Sequence, residues 1–432
     1  MKTLTFVMLP LLIAGVLTTS CGGQNCDGTK CREDLGLGPE KMKDRDAAFY
    51  KENPSDASRL NVFVENSVSM NGYVTGNTGF KTVVYRVVGQ LSADVLQNGD
   101  SISFNYINSE IVPFKGKKRE FLKQGLDCNL SQPGHFSTSG GDRANSDIMT
   151  SIEDVIKRTP TGEISMFVSD CVYSPEPAAD IDKALEKQQT DMLNALKNKA
   201  KTDPRFGVVL YRLTSDFHGI YYNKTNGKIQ CDGPRPYFIW LFGDAAILAN
   251  AYRSLEKIMT SEKATSLTGI NGYAYLPYKT KKSDHPYHYL YAKPGTPISF
   301  LADLSDLPLS TDYLLNKANY LCSNKKYAIK SIEKVSEKGV SDKGNYNYKF
   351  TIKPLYEDDH SVLPRTVIEI SLLSPLRDRA VWEKKFDDPK GTDYDKGYNS
   401  KLQRTFGIKS LVEGIADFYN EKAYATFKVA IN

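Results

Sequence analysis

Two acidic residues end apolar, strand-like runs in this sequence. Glu65 closes LNVFVE and is followed by Ser67 and Ser69, whereas Asp170 closes EISMFVSD. A hard cation such as Mg²⁺ takes six oxygen ligands in an octahedral array, and hydroxyls and carboxylates are such ligands. Serines two residues apart in a turn can face one ion, and carboxylates from separate loops balance its charge. These residues therefore predict a divalent-cation site, provided that both strands end at the same edge of a sheet.

Strands and helices alternate over about 200 residues, which is typical of an α/β fold with a parallel sheet and helices on both faces. In such sheets ligands bind at the carboxyl ends of the strands, so Glu65 and Asp170 are expected at one edge. Ser146 or Asn145 is expected to cap the second helix, and residues 215–234 read as an inserted hairpin. The predicted strands cover 60–65, 101–107, 163–170, 206–214 and 236–244, and the predicted helices cover 80–96, 146–156, 181–199 and 245–258.

The acid-and-serine stretch Glu65–Met70, ENSVSM, resembles the D-x-S-x-S motif that ends the first strand of von Willebrand factor A domains. That family adds a Thr from a later helix start, and Ser146 of ANSDIMTSI falls at this position. It also adds an Asp at the end of a later strand, and Asp170 of FVSDC falls there. Residue types, order and strand context together carry the resemblance, which covers residues 58–260.

The resemblance implies a Rossmann-like domain with a central, mostly parallel sheet. It also implies a metal-ion-dependent adhesion site that holds Mg²⁺, Mn²⁺ or Ca²⁺ and leaves one position for a carboxylate of a protein partner. Glu65 is one methylene longer than the family's Asp, Ser146 replaces Thr, and Val68 and Cys171 replace Gly. If these departures have removed the ion, the alternative is a metal-free scaffold. The implied ligands are Glu65, Ser67, Ser69, Ser146 and Asp170.

The periodicity changes after residue 260. Short runs rich in Tyr, Thr and Val recur between turn signals, and one helix, 407–419, precedes the last strand. This pattern predicts a β-rich, sandwich-like, antiparallel domain over 261–432. Its expected strands lie within 273–278, 287–293, 297–304, 346–356, 366–373 and 424–432.

The amino terminus predicts export and lipidation. Residues 1–20 have a Lys near the start, an apolar run and small residues, as an export signal has. LTTSC resembles a bacterial lipobox, which makes Cys21 the acylated residue, and the polar residues 21–57 a tether. We expect a lipoprotein of the cell envelope, anchored to the outer membrane on its periplasmic or its surface face. Six further cysteines permit disulfides outside the cytoplasm.

The sequence favours a binding protein over an enzyme. The net charge of +5 does not point to nucleic acid, and no nucleophile or acid–base pair can be placed. Lys115–Arg119 reads as a solvated basic loop, with a polyanionic partner as the alternative. His285 and His288, in a Tyr-rich stretch, read as part of a hairpin with exposed aromatic residues, with a metal site or a sugar-stacking platform as the alternative. The remaining rival function is a metal-dependent hydrolase built from Asp170, Asp216 and His218, which requires these three side chains on one sheet edge.

Overall fold

The computed structural model describes the chain from residue 56 to residue 431, with several internal gaps. The signal peptide, Cys21, most of the tether, Cys26, Cys31 and Cys128 lie outside the described residues, as do His285 and His288. None of the helices in the described part is both long and apolar enough to cross a membrane. The internal gaps are 128–134, 145, 175–179, 224–226, 272–277, 280–289, 292, 294, 306, 336–346, 356–365, 395–396, 398–402 and 420–422.

Seven strands form one central sheet, and helices cover both of its faces. The strands are β1 Leu60–Glu65, β2 Ile102–Ile107, β3 Ile111–Pro113, β4 Ile164–Ser169, β5 Phe206–Tyr222, β6 Lys228–Asp244 and β7 Thr265–Gly269. The main helices of the described chain are α1 Gly79–Asp94, α2 Ile148–Lys157, α3 Ile181–Thr202, α4 Ala245–Ser261, α5 Arg379–Phe386 and α6 Ile408–Tyr419. The α/β class predicted from the alternation of elements is therefore confirmed.

The sheet is mixed, so the expectation of a mostly parallel sheet is wrong. Its strand order is β3-β2-β1-β4-β6-β5-β7, and only the pairs β1–β2 and β1–β4 are parallel. The reason is the long hairpin formed by β5 and β6, whose 17-residue strands pair antiparallel along their whole length. A short hairpin connection can join only antiparallel strands, whereas parallel strands need a long crossover.

Each face of the sheet has its own hydrophobic core. Helices α1 and α4 pack on one face, which also carries Val62, Val64 and Val168. Helices α2, α3 and α6 pack on the other, which carries Phe63 and Phe167. Because both faces are covered, β1 and β4 are buried at every residue, which explains their largely apolar sequences.

The distal half of the β5–β6 hairpin rises above the carboxyl edge of the parallel strands. It packs against the short helical turn Asn71–Val74, which follows the serines of the ENSVSM stretch. Gly72 lies under the Phe217 ring, so closely that a Cβ atom there would overlap the ring, and a Cβ on Gly219 would come 2.9 Å from Gly72 Cα. The hairpin therefore fixes the position of the serine-bearing turn.

The carboxy-terminal part is β-rich and antiparallel, as predicted. Its strands are β8 Tyr278–Lys279, β9 Ile298–Ala302, β10 Tyr320–Cys322, β11 Tyr327–Lys334, β12 Tyr348–Pro354, β13 Thr366–Leu372 and β14 Ala425–Ile431. One sheet has the order β10-β13-β14 and the other β11-β12-β9-β8. Phe300 and Phe350 of the second sheet contact Phe427 of the first in a shared core.

The two parts interlock across the expected boundary at residue 260. Strand β7 lies beyond that boundary and nevertheless joins the central sheet by pairing with β5. Helix α6, from the far end of the chain, packs on α3, and the side chains of Ile415 and Tyr419 crowd Gly269 of β7. Apolar periodicity predicts a strand such as β7 or a helix such as α6, but it does not predict which sheet the element joins or packs on.

We expect Gly72→Ala to destabilise the protein by roughly 1–3 kcal/mol, because its methyl group cannot be accommodated against the buried Phe217 ring. Gly89→Ala is the matched control: Gly89 lies within α1, and a methyl group added there would meet open space. This control should gain about 0.5–1 kcal/mol, as an Ala in a helix interior does. Urea unfolding of both variants measures the difference, and equal stabilities would contradict the proposed packing.

Candidate metal centre

The two acids identified in the sequence lie at the same edge of the sheet. Strands β1 and β4 are parallel neighbours, with Val64 opposite Val168, so Glu65 ends one strand and Asp170 directly follows the other. Both side chains are buried, with Glu65 5% and Asp170 3% exposed. Asp170 also accepts a hydrogen bond from the Val172 N–H at 3.2 Å.

A pair of hydroxyls connects the two acids. The Oγ atoms of Ser67 and Ser69 are 2.9 Å apart, Ser67 faces Glu65, and Ser69 faces Asp170. The chain of contacts runs from Glu65 to Ser67, from Ser67 to Ser69 and from Ser69 to Asp170. Only two hydroxyl protons are available for these three contacts. With both acids ionised, one contact brings lone pairs together, and either a carboxyl proton or a cation removes that repulsion.

Ser146 contributes a third hydroxyl at this edge. Its Oγ is buried beside the Glu65 carboxyl group, where it favours the charged carboxylate. The prediction that Ser146 or Asn145 caps α2 is wrong, because Asp147 does so: its Oδ1 accepts the N–H of Met149 at 2.8 Å and that of Thr150 at 3.0 Å. Ser146 therefore remains available as a ligand.

Burial dominates the electrostatics of this edge. It raises the pKa of Glu65 to about 7, with the nearby charge of Asp170 adding to the effect and the surrounding serine hydroxyls opposing it. Burial also raises the pKa of Asp170, against the opposing influence of the Arg235 guanidinium. Desolvation disfavours the charged carboxylates, and a bound cation would favour them.

Two further residues hold the strand ends in place. Ser169 donates a hydrogen bond to Glu65 and accepts one from the Cys171 N–H at 2.7 Å. Cys171 has a φ of 54°, a left-handed conformation that glycine adopts without strain and other residues adopt rarely. Cys171 thus stands where the resembled motif has Gly, and its backbone keeps a conformation that is typical of glycine.

The hydrolase constellation is not assembled in this structure. Asp216 and His218 lie on the exposed face of the hairpin, while Phe217 between them is buried. The His218 Nδ1 atom contacts Asp232 Oδ1 at 2.5 Å across the hairpin, away from the buried Asp170. Within the described ranges, no three His, Cys, Asp or Glu side chains are grouped as metal ligands.

The residues present fit a hard divalent cation bound largely by hydroxyls. The edge carries two carboxyl groups, of Glu65 and Asp170, and the three hydroxyls of Ser67, Ser69 and Ser146. Mg²⁺ is bound in proteins by one or two carboxylates together with other oxygen ligands, including water. Ser169 and Arg235 belong to the same environment, and sequence reasoning missed both: serine is common at strand ends, and Arg235 is far from the motif in sequence.

Comparison of the chain with models of known protein families, with curated proteins and with solved structures found no match. The interpretation of this edge therefore depends on its own residues.

We expect Glu65→Gln to flatten the pH dependence of stability in metal-free buffer. The pKa of Glu65 is raised from 4.5 to about 7 on folding, so the folded state binds the proton more tightly. Protonation of Glu65 therefore stabilises the folded state at low pH. This contribution to the free energy of unfolding falls by roughly 2–3 kcal/mol between about pH 4.5 and pH 7. Urea unfolding at pH 5 and pH 7.5 measures the difference between the variant and the wild type.

Glu186→Gln is the matched control, because Glu186 is exposed on α3 and its replacement should leave the wild-type slope unchanged. A Glu65→Gln protein with the full wild-type slope would contradict the raised pKa.

Proposed function

We propose that this protein is an exported, membrane-anchored lipoprotein whose von Willebrand factor A-like domain binds a protein partner through a divalent cation. The single observation that carries the proposal is the convergence of two buried carboxyl groups, of Glu65 and Asp170, with the hydroxyls of Ser67, Ser69 and Ser146 at one sheet edge. Burial disfavours the charged carboxylates, and a bound cation would stabilise them. Acyl chains on Cys21 would provide the membrane anchor.

The order of the donors supports the same proposal. The acid and the two serines follow the first strand, the third hydroxyl precedes a helix, and the second acid follows a neighbouring parallel strand. A cation held there would act as a Lewis acid toward one carboxylate of the partner. Among the chain's own residues, the Ser67 and Ser69 hydroxyls contact each other in the turn that would hold the ion, and Phe217 of the hairpin packs on Gly72 of the next turn.

We expect the full chain to bind Mg²⁺ in isothermal titration calorimetry, and the double variant Ser67→Ala plus Ser69→Ala to lose at least nine-tenths of the heat. The double variant removes two hydroxyl ligands and leaves both carboxylates. Mn²⁺ and Ca²⁺ titrations identify which ion the site prefers. The matched control is Ser299→Ala plus Ser331→Ala, which removes two hydroxyls from β9 and β11 of the carboxy-terminal sheet.

A wild-type protein without a Mg²⁺, Mn²⁺ or Ca²⁺ isotherm would contradict the proposal and favour the metal-free scaffold. Proximity labelling in intact cells then distinguishes the two functions. A cation-dependent binder loses labelled neighbours when a chelator is added, whereas a scaffold keeps the same neighbours.

We expect Cys21→Ser to shift the protein from the membrane fraction to the soluble fraction, because the substituted residue can no longer be acylated. Immunoblots of fractionated cells measure the shift, and Cys322→Ser, in the carboxy-terminal sheet, is the control. Retention of Cys21→Ser in the membrane fraction after a carbonate wash would exclude the lipid anchor.

A further inference from the structure

Arg235 is a fully buried cation in β6. It has no measurable exposed surface, and no carboxylate of the described residues is hydrogen-bonded to its side-chain nitrogens. Its guanidinium carbon lies 4.1 Å from the ring centre of Tyr221, 4.8 Å from that of Tyr394 and 5.3 Å from that of Phe217. Cation–π contacts of this kind offset part of the cost of burying a charge, but they supply no counter-charge.

The strand geometry brings this cation to the candidate metal site. Strand β6 runs antiparallel to β4, with Phe238 opposite Ser169, so the residues before Phe238 extend past the carboxyl end of β4. Side chains alternate between the faces of a strand. Tyr237 and Val168 belong to the same core, so continued alternation puts Arg235 and Asp170 on that same face.

Tyr73 links the two charges. It belongs to the turn that follows the two serines, and its hydroxyl donates a hydrogen bond to the Pro236 carbonyl, next to Arg235. Its ring packs on Phe217 and Tyr237. Burial raises the pKa of Tyr73; the nearby Arg235 guanidinium opposes this rise, and the Asp170 carboxylate adds to it. Tyr73 is thus close to both charges.

We propose that Arg235 is a built-in counter-ion of the site, which neutralises one of its two buried carboxylates and thereby weakens the binding of a divalent cation. With Glu65 and Asp170 ionised, the edge carries two negative charges and one positive charge, a net charge of −1. Without Arg235 the net charge is −2. The repulsion between Arg235 and an incoming cation is strong because water is excluded from this edge. The inference deepens the proposed function, on which it rests.

The test is calorimetric titration of Mg²⁺ into the full wild-type chain and into Arg235→Met and Arg235→Lys. Methionine removes the charge and retains an unbranched side chain, whereas lysine retains the charge and loses the planar stacking group. We expect Arg235→Met to bind Mg²⁺ at least tenfold more tightly than the wild type, and Arg235→Lys to bind within threefold of it.

Equal Mg²⁺ affinities for the wild type and Arg235→Met would overturn this inference and leave the proposed metal site intact. Weaker Mg²⁺ binding by both variants would overturn this inference too, because it would show that the planar guanidinium of Arg235 supports the structure of the site. Absence of binding by all three proteins would refute the metal site itself. If Arg235→Met is too unstable for calorimetry, its melting temperature is measured with and without Mg²⁺. A larger Mg²⁺-induced rise than in the wild type supports the proposal, and an equal or smaller rise contradicts it.

Discussion

Glu65 and Asp170 are buried side by side at the ends of neighbouring parallel strands, and much of the surrounding structure compensates for that arrangement. A carboxylate removed from water is costly unless hydrogen bonds or opposite charges replace its hydration. Here the replacements come from hydroxyls, one backbone N–H and one guanidinium. They are drawn from four separate stretches of the chain, so this edge can form only when β1, β4, β6 and the start of α2 have come together.

The long hairpin is the element that encloses this edge. Its buried face supplies Phe217, Tyr221 and Arg235, and its exposed face carries Asp216 and His218, two of the three residues of the rival hydrolase. The strict alternation of a strand separates these two sets. A two-residue period therefore decides which side chains can influence Asp170.

Convergence of Glu65 and Asp170 at one edge could be predicted from the sequence, because acid-ended apolar runs in an α/β pattern share an edge when their strands are parallel. Strand direction could not be predicted in the same way, since a fully apolar run reports burial on both faces and not orientation. The helix cap was missed because Ser146 and Asp147 are both good cap residues. Arg235 was missed because its neighbours, including Tyr73 and Asp170, are distant in sequence.

The burial of Cys171 at this strand end has a consequence for the redox state of its thiol. The thiol is buried, it accepts a hydrogen bond from the Trp240 indole N–H at 3.3 Å, and burial raises its pKa. Disulfide exchange requires an accessible thiolate, so this thiol is protected from both oxidants and other cysteines. A protein that folds in an oxidising compartment can therefore retain a reduced cysteine immediately after Asp170.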